Sequence, residues 1–285
     1  MWTHKWLWGV GTPLVLATMA PLIAVYVWDS RTSSLRQQLE RASIRTPDLY
    51  SELDLDELPA PVERFFRHVL REGQPLIRAV DLITEGQFQT GTTDADWRSF
   101  TASQRFSTRP PGFVWDAHIQ MAPFMPVYIR DAYVGDHAEM RGKVLGLFPV
   151  VNEAGSRDLA AGQLHRYLAE TIWFPTALLP NHHRVFWEAV DANSAIALIT
   201  HRGITVSLRF TFTADGDVSE VFAKERMRAV DGGYEPTPWA VRCSDYQERH
   251  GMRIPIWCEA EWRLPEGPRP YWRGRVTTVR YELAR

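Results

Sequence analysis

Few residues of this 285-residue chain stand at spacings that support chemistry. His182 and His183 are adjacent. Neighbouring side chains diverge, so one metal ion would need further ligands, and no HExxH or CxxC pattern supplies them. The pair follows Pro180-Asn181 and reads as a loop. Glu170 follows Arg166 by four residues, the helical spacing of a solvated ion pair. Its other reading is a carboxylate at a cavity mouth beside Trp173, contacting a polar head group. Lys143, Asp131, Asp191 and Asp245 are scattered charges on strands or strand ends and assemble into no nucleophile–base pair. GxSxG, GxGxxG and P-loop patterns are absent. No cofactor, metal site or catalytic residue is expected. A hydrolase using Glu170 or His182/His183 stands as an alternative.

Two further groups of residues carry information. Cys243 and Cys258 lie on the two arms of one expected hairpin and are candidates for a disulfide, with two buried thiols as the other reading. A bridge would imply an oxidising compartment. Tryptophan is abundant: twelve in all, eight of them at 97, 115, 173, 187, 239, 257, 262 and 272. Indoles supply large apolar area with one donor that needs a partner. Eight together form either a Trp-rich core or an aromatic-lined cavity. The formal net charge is -2 and the RMR triplet at 226–228 is too small to suggest nucleic acid, which is not an expected partner.

The chain changes character near residue 28. Trp6 to Trp28 runs 23 residues without a charge, about 34 Å of helix at ~1.5 Å per residue, enough to cross a bilayer core. Trp6, Trp8 and Trp28 sit at its ends, where indoles favour the interface. A cleavable signal peptide has a shorter apolar core. Thr18 and Ala20 imitate a cleavage site, but Pro21 would follow it and the run continues to Trp28. Residues 1–28 are therefore expected to be an N-terminal membrane anchor. Arg31, Arg36 and Arg41 on the C-terminal side favour a cytoplasmic domain by simple count, whereas long domains translocate largely regardless of charge. With the cysteines, this gives the expectation of a membrane-anchored, extracytoplasmic (periplasmic) domain.

The elements that must position these residues lie beyond the anchor. Residues 29–57 read as a tether, with a thin stripe of Leu35, Leu39 and Ala42 and then an acidic stretch. Pro59 and Pro61 open a helix whose Val62, Phe65, Phe66, Val69 and Leu70 share one face. Strands are expected at about 78–90, 98–107, 113–121, 127–134 and 137–145, with 146–155 as a loop. Ser156 caps a helix in which Leu164, Tyr167, Leu168, Thr171 and Ile172 share a face, and Pro175 ends it. Beyond it, Ile204 to Phe212 alternates, and Asp215-Gly216 turns a hairpin that sets Phe210 opposite Val221. His250-Gly251 turns another, setting Trp239 opposite Trp262, Val241 opposite Ala260 and Cys243 opposite Cys258. A last strand covers about 272–283.

Several segments carry a family resemblance: LPAPVERFFRHVL (58–70), GFVWDA (112–117), DAYVGDHAEM (131–140), RYLAETIWFPTALL (166–179), VFWEAVD (185–191), Pro238-Trp239, RIP (253–255) and EAEWRL (259–264). Their order resembles an uncharacterised family of bacterial proteins of unknown function, associated with the LolA-like lipoprotein-carrier superfamily. The resemblance covers about 58–283. It implies an open antiparallel half-barrel whose concave face is covered by helices and holds acyl chains or other lipids. Segment 166–179 would be its central helix, with Glu170, Trp173 and Pro175 as characteristic positions. No catalytic residue carries over.

The expected architecture is thus an α+β domain over 58–285: a curved sheet of about ten strands under a helical cover, behind an N-terminal transmembrane helix. The expected function is binding of a membrane lipid or lipid-modified protein. The candidate ligand-binding residues are Trp115, Ile119, Tyr128, Glu170, Trp173, Trp187, Phe210 and Trp239. An envelope structural protein with a solid core is the other non-enzymatic reading.

Overall fold

A computed structural model describes residues 5–44, 47–91, 93–180 and 185–284, with side chains described from residue 19 onward apart from Asp94. The chain opens with α1 (Lys5–Ala42) and α2 (Ala60–Val69). Six strands come next: β1 (Ile77–Gln89), β2 (Trp97–Ser107), β3 (Gly112–Ala122), β4 (Met125–Val134), β5 (His137–Val144) and β6 (Phe148–Ala154). Then come α3 (Arg157–Glu170) and two short 3-10 turns, Thr171–Trp173 and Pro175–Leu178. Seven strands complete it: β7 (Val185–Asp191), β8 (Ser194–His201), β9 (Ile204–Phe212), β10 (Val218–Val230), β11 (Gly233–Arg249), β12 (Met252–Leu264) and β13 (Gly267–Leu283).

All thirteen strands form one antiparallel sheet in the order β6-β5-β4-β3-β2-β1-β13-β12-β11-β10-β9-β8-β7. Its two outer strands, β6 and β7, are not paired with each other, so the sheet is open. About ten strands were expected. One of the additions is β6, where Gly146, Pro149 and Gly155 suggested a loop. Pro149 is accommodated at a register shift on this edge strand, where a missing N–H costs little.

Both hairpin registers follow the alternation. Phe210 pairs with Val221, and Trp239, Val241 and Cys243 pair with Trp262, Ala260 and Cys258. One sheet face packs on α2 and α3. Val62, Phe65, Phe66 and Val69 of α2 are all buried, as their spacing requires. The Ser156 hydroxyl caps α3 by accepting from the Leu159 N–H.

The opposite, convex face carries α1. Leu35 and Leu39 bury against Val114, Ala132 and Val134. The Trp28 indole donates to Asp116 Oδ1 at 2.8 Å, and Arg130 stacks on its ring at 4.4 Å. Residues 29–57, expected as a tether, are in large part packed on the domain: beyond α1, Tyr50 and Leu55 join the main core, and Leu49 bridges to Pro75. The Leu35/Leu39 stripe is real; its partner, the back of a sheet formed far later in the chain, has no local signature.

Most of the apolar run Trp6–Trp28 lies outside the described side chains. Among the described residues, no helix is long and apolar enough to cross a membrane.

Candidate ligand-binding cavity

α3 spans the concave face but does not fill it. Between α3 and β3–β4, β10–β13 lies a cavity of about 530 Å³. Small residues contribute to the gap: Ala169 of α3 and Ala260 of β12 line it, and Gly162 lies close to the β10 backbone, while Leu159, Gln163, Arg166 and Glu170 of α3 reach its wall. Around this space stand five indoles, Trp115, Trp173, Trp239, Trp262 and Trp272, with Phe88, Ile129, Met140, Ile172 and Tyr271. Two indole donors are satisfied within the protein. Trp173 Nε1 donates to the Pro255 carbonyl at 3.2 Å, and Trp239 Nε1 to the Tyr271 hydroxyl at 3.0 Å. The rings are thereby fixed, with their faces left for packing.

A charged cluster sits in the wall. Arg166 Nη1 donates to Asp131 Oδ2 at 2.6 Å, and Arg166 Nε to Glu170 Oε1 at 2.9 Å. Gln104 holds the second Glu170 oxygen at 2.8 Å, and Gln163 Nε2 donates to the second Asp131 oxygen. The Arg166 guanidinium also lies 4.9 Å from the centre of the Trp115 ring. Burial pushes the Asp131 and Glu170 carboxyls above the usual carboxylate range, against the pull of Arg166. Burial disfavours charge on Arg166 as well, but its two carboxylate partners outweigh this and its pKa rises.

A second guanidinium completes the wall. Arg226 stacks between Trp239 (4.5 Å) and Trp262 (5.2 Å), donates to the Gly162 carbonyl at 3.2 Å, and has no carboxylate in ion-pair range among the described residues. Its field nonetheless draws the Asp131 carboxyl down. With Glu153 and Arg228, three carboxylates and three guanidiniums thus line one largely apolar space, formally balanced. One polar atom remains unsatisfied: Gln163 Oε1 is buried with no hydrogen-bond partner. The Gln163 Nε2 is held by Asp131, and its oxygen is enclosed by the protein.

Of the eight residues expected to bind ligand, Trp115, Glu170, Trp173 and Trp239 line this cavity. The other four do not. Ile119 is buried in the core beyond it. Tyr128 faces the convex side: it pairs with His118, out of phase with Trp115, and its ring lies 6.0 Å from Trp28 of α1. Trp187 and Phe210 pack on each other at 5.2 Å, in the solid part of the core near α2. Glu170 is enclosed by Arg166 and Gln104 rather than solvated at a mouth. Cys243 and Cys258 face each other as free thiols with sulfurs 3.5 Å apart. Burial pushes the Cys258 thiol well above its ordinary value. His182 and His183 lie outside the described residues.

Sequence reasoning missed Asp131, Gln163, Arg226, Trp262 and Tyr271. Trp262 was within reach, because the hairpin register already set it opposite Trp239. Asp131 pairs with Trp115 across β3 and β4, a contact that no short-range spacing reveals.

An open antiparallel sheet closing an aromatic cavity under one helix defines the class of domain. The chain belongs to DUF6920, a family of unknown function, whose model matches residues 56–281. Comparison with curated proteins finds no match. Among solved structures, it is similar to a domain described as an outer membrane lipoprotein-sorting protein, from Vibrio parahaemolyticus: 6% identity, 72% of this chain and 86% of the other covered, TM-score 0.38. It is also similar to a LolA superfamily protein from Nitrosomonas europaea, at 8% identity, 78% and 92% coverage and a TM-score of 0.36. A third is a β-barrel-like protein of the DUF1849 family from Brucella abortus, at 10% identity, 73% and 99% coverage and a TM-score of 0.24.

Proposed function

We propose that this protein binds a lipid, or another ligand with an elongated apolar part, in the cavity between α3 and the sheet. The observation that carries the reading is the space itself: about 530 Å³ surrounded by five indoles, two of which, Trp173 and Trp239, have their N–H already bonded within the protein. Water gains little in such a space, whereas a hydrocarbon tail gains about 25 cal/mol per Å² of surface it hides. The balanced cluster of Asp131, Arg166, Glu170 and Arg226 orients the polar end of the ligand. A hydroxyl- or amide-bearing head group fits this set.

The uncharged run Trp6–Trp28, continuous with the domain through α1, tethers this binder to a membrane. The domain lies on the extracytoplasmic side. Because α1 is docked on the sheet rather than linked by a flexible arm, the protein receives or holds its ligand at the membrane and does not shuttle it.

The test is solvent extraction of the full chain purified in detergent, with mass spectrometry of the extract. A lipid recovered at close to one molecule per chain is expected, and its loss when Ala260 is replaced by Phe. Recovery that is unchanged by Ala260→Phe would place the lipid outside the cavity and overturn the reading.

A further inference from the structure

One end of the sheet is apolar at its β3–β4 and β5–β6 turns, and α1 leaves the domain beside them. Along β3, Leu39 lies against Gly112 at the strand's start, while Trp28 lies near Tyr128 and Asp116 further along. One helical turn earlier, Ala24 meets the β5–β6 turn so closely that a Cβ on Gly146 would sit 3.3 Å from it. The register of β3, β4 and β5 places that turn and the β3–β4 turn at the same end. The helix therefore passes these two turns at Ala24, and its N-terminal part projects beyond the sheet.

Around this exit the surface is greasy. Phe124, at the tip of the β3–β4 turn, is 95% exposed; Phe148 and Val150 of β6 are 63% and 57% exposed, and Tyr26 of α1 is 74% exposed. Nine of the fifteen exposed large hydrophobic residues among the described ones belong to these turns, the start of β6 or residues 19–27 of α1. Scattered apolar side chains are ordinary, but such a concentration marks a contact surface. Length identifies what it contacts. A bilayer core takes about 20 helical residues. Counting back from Val25 consumes the uncharged run as far as Trp6, so the membrane surface falls level with the two turns.

We propose that this end of the domain rests in the bilayer surface from which α1 emerges, so that the cavity takes its ligand directly from the membrane. Val150 joins the two features, since it is exposed at this end and lines the cavity, with Val151 beside it. The membrane contact stands on the apolar end and α1; the route of entry rests on the binding function proposed above.

Hydroxyl-radical footprinting of the full chain in phosphatidylethanolamine–phosphatidylglycerol nanodiscs, one copy per disc, tests the contact. Val150 and Val190 are 57% and 44% exposed, and the antiparallel order puts Val190, near the end of β7, at the other end of the sheet. Labelling of Val150 at least fivefold below that of Val190 is expected. Equal labelling overturns the contact. For the entry route, the double variant Phe124→Asp, Phe148→Asp in the full chain is compared with wild type using cis-parinaric acid. Loading from vesicles at least tenfold slower is expected, with affinity for probe supplied in detergent within twofold. An unchanged vesicle rate overturns membrane entry. Failure of wild type to bind the probe from either source refutes the cavity reading instead, and the footprint still decides the contact by itself.

Discussion

The two parts of the concave face are built from similar residues and end in opposite states. Under α2, aromatic rings meet one another: Phe65 lies 5.2 Å from Phe66 and 5.6 Å from Phe212, and Phe210 lies 5.2 Å from Trp187. Under α3, indoles stand around a space of about 530 Å³; Arg166 and Arg226 lie over three of them, and Trp262 stacks on Tyr271 at 5.9 Å. Aromatic content therefore does not distinguish a solid core from a hollow. The difference lies in what faces the rings. Large apolar side chains of α2 fill one side, whereas Ala169 and Ala260 are small where they line the other.

The contrast is most strongly tested by deletion. Phe66→Ala removes a fully buried ring from the solid part and is expected to cost about 3–5 kcal/mol in denaturant unfolding. Arg166→Met leaves Asp131 and Glu170 without their cation and is expected to cost a similar ~3–5 kcal/mol, despite lining an open space. A loss below about 1 kcal/mol would mean that water already solvates the cluster.

A third test uses pH. His165, on α3, is buried and lies in the field of Arg226, and its pKa is pushed down to about 4. It is neutral in the folded protein but titrates near 6.5 when unfolded. Its contribution is complete above pH 6.5 and is lost as pH falls toward 4. The raised Asp131 and Glu170 carboxyls act oppositely over acidic pH, so the comparison is with His165→Gln, which keeps both. Between pH 7 and 4.5 the wild type should lose up to roughly 3 kcal/mol relative to the variant in urea unfolding. Parallel curves would show that the imidazole is solvated.

The smallest expected effects sharpen the comparison most. Adding a ring to the solid part, Ala197→Phe, should cost about 1–3 kcal/mol by overpacking. The same change at Ala260 meets the cavity and should cost less than about 1 kcal/mol. Equal costs at the two sites would remove the distinction between the two parts.

Much of the scaffold was legible in the sequence because local rules determine it. The Gly-containing turns and strict alternation set the β11–β12 register, so Trp239 and Trp262 were correctly placed opposite each other. The cavity was legible only in part. The ring of Tyr128 suggests a ligand contact, but the phase of β4 aims odd-numbered residues such as Ile129 and Asp131 at the cavity. The Arg166–Glu170 pair follows helical spacing, but its extension to Asp131 joins a helix to a strand 35 residues earlier, and only the folded sheet brings them together. Whether rings meet or stand apart depends on the small residues facing them across layers, and no single strand records that.

The most direct measurement is a fluorescence titration of the full chain with cis-parinaric acid. The account predicts saturable binding near one probe per chain, abolished by Ala260→Phe and retained by Ala197→Phe. Absence of binding to the wild type, or equal binding by the Ala260→Phe variant, would contradict it.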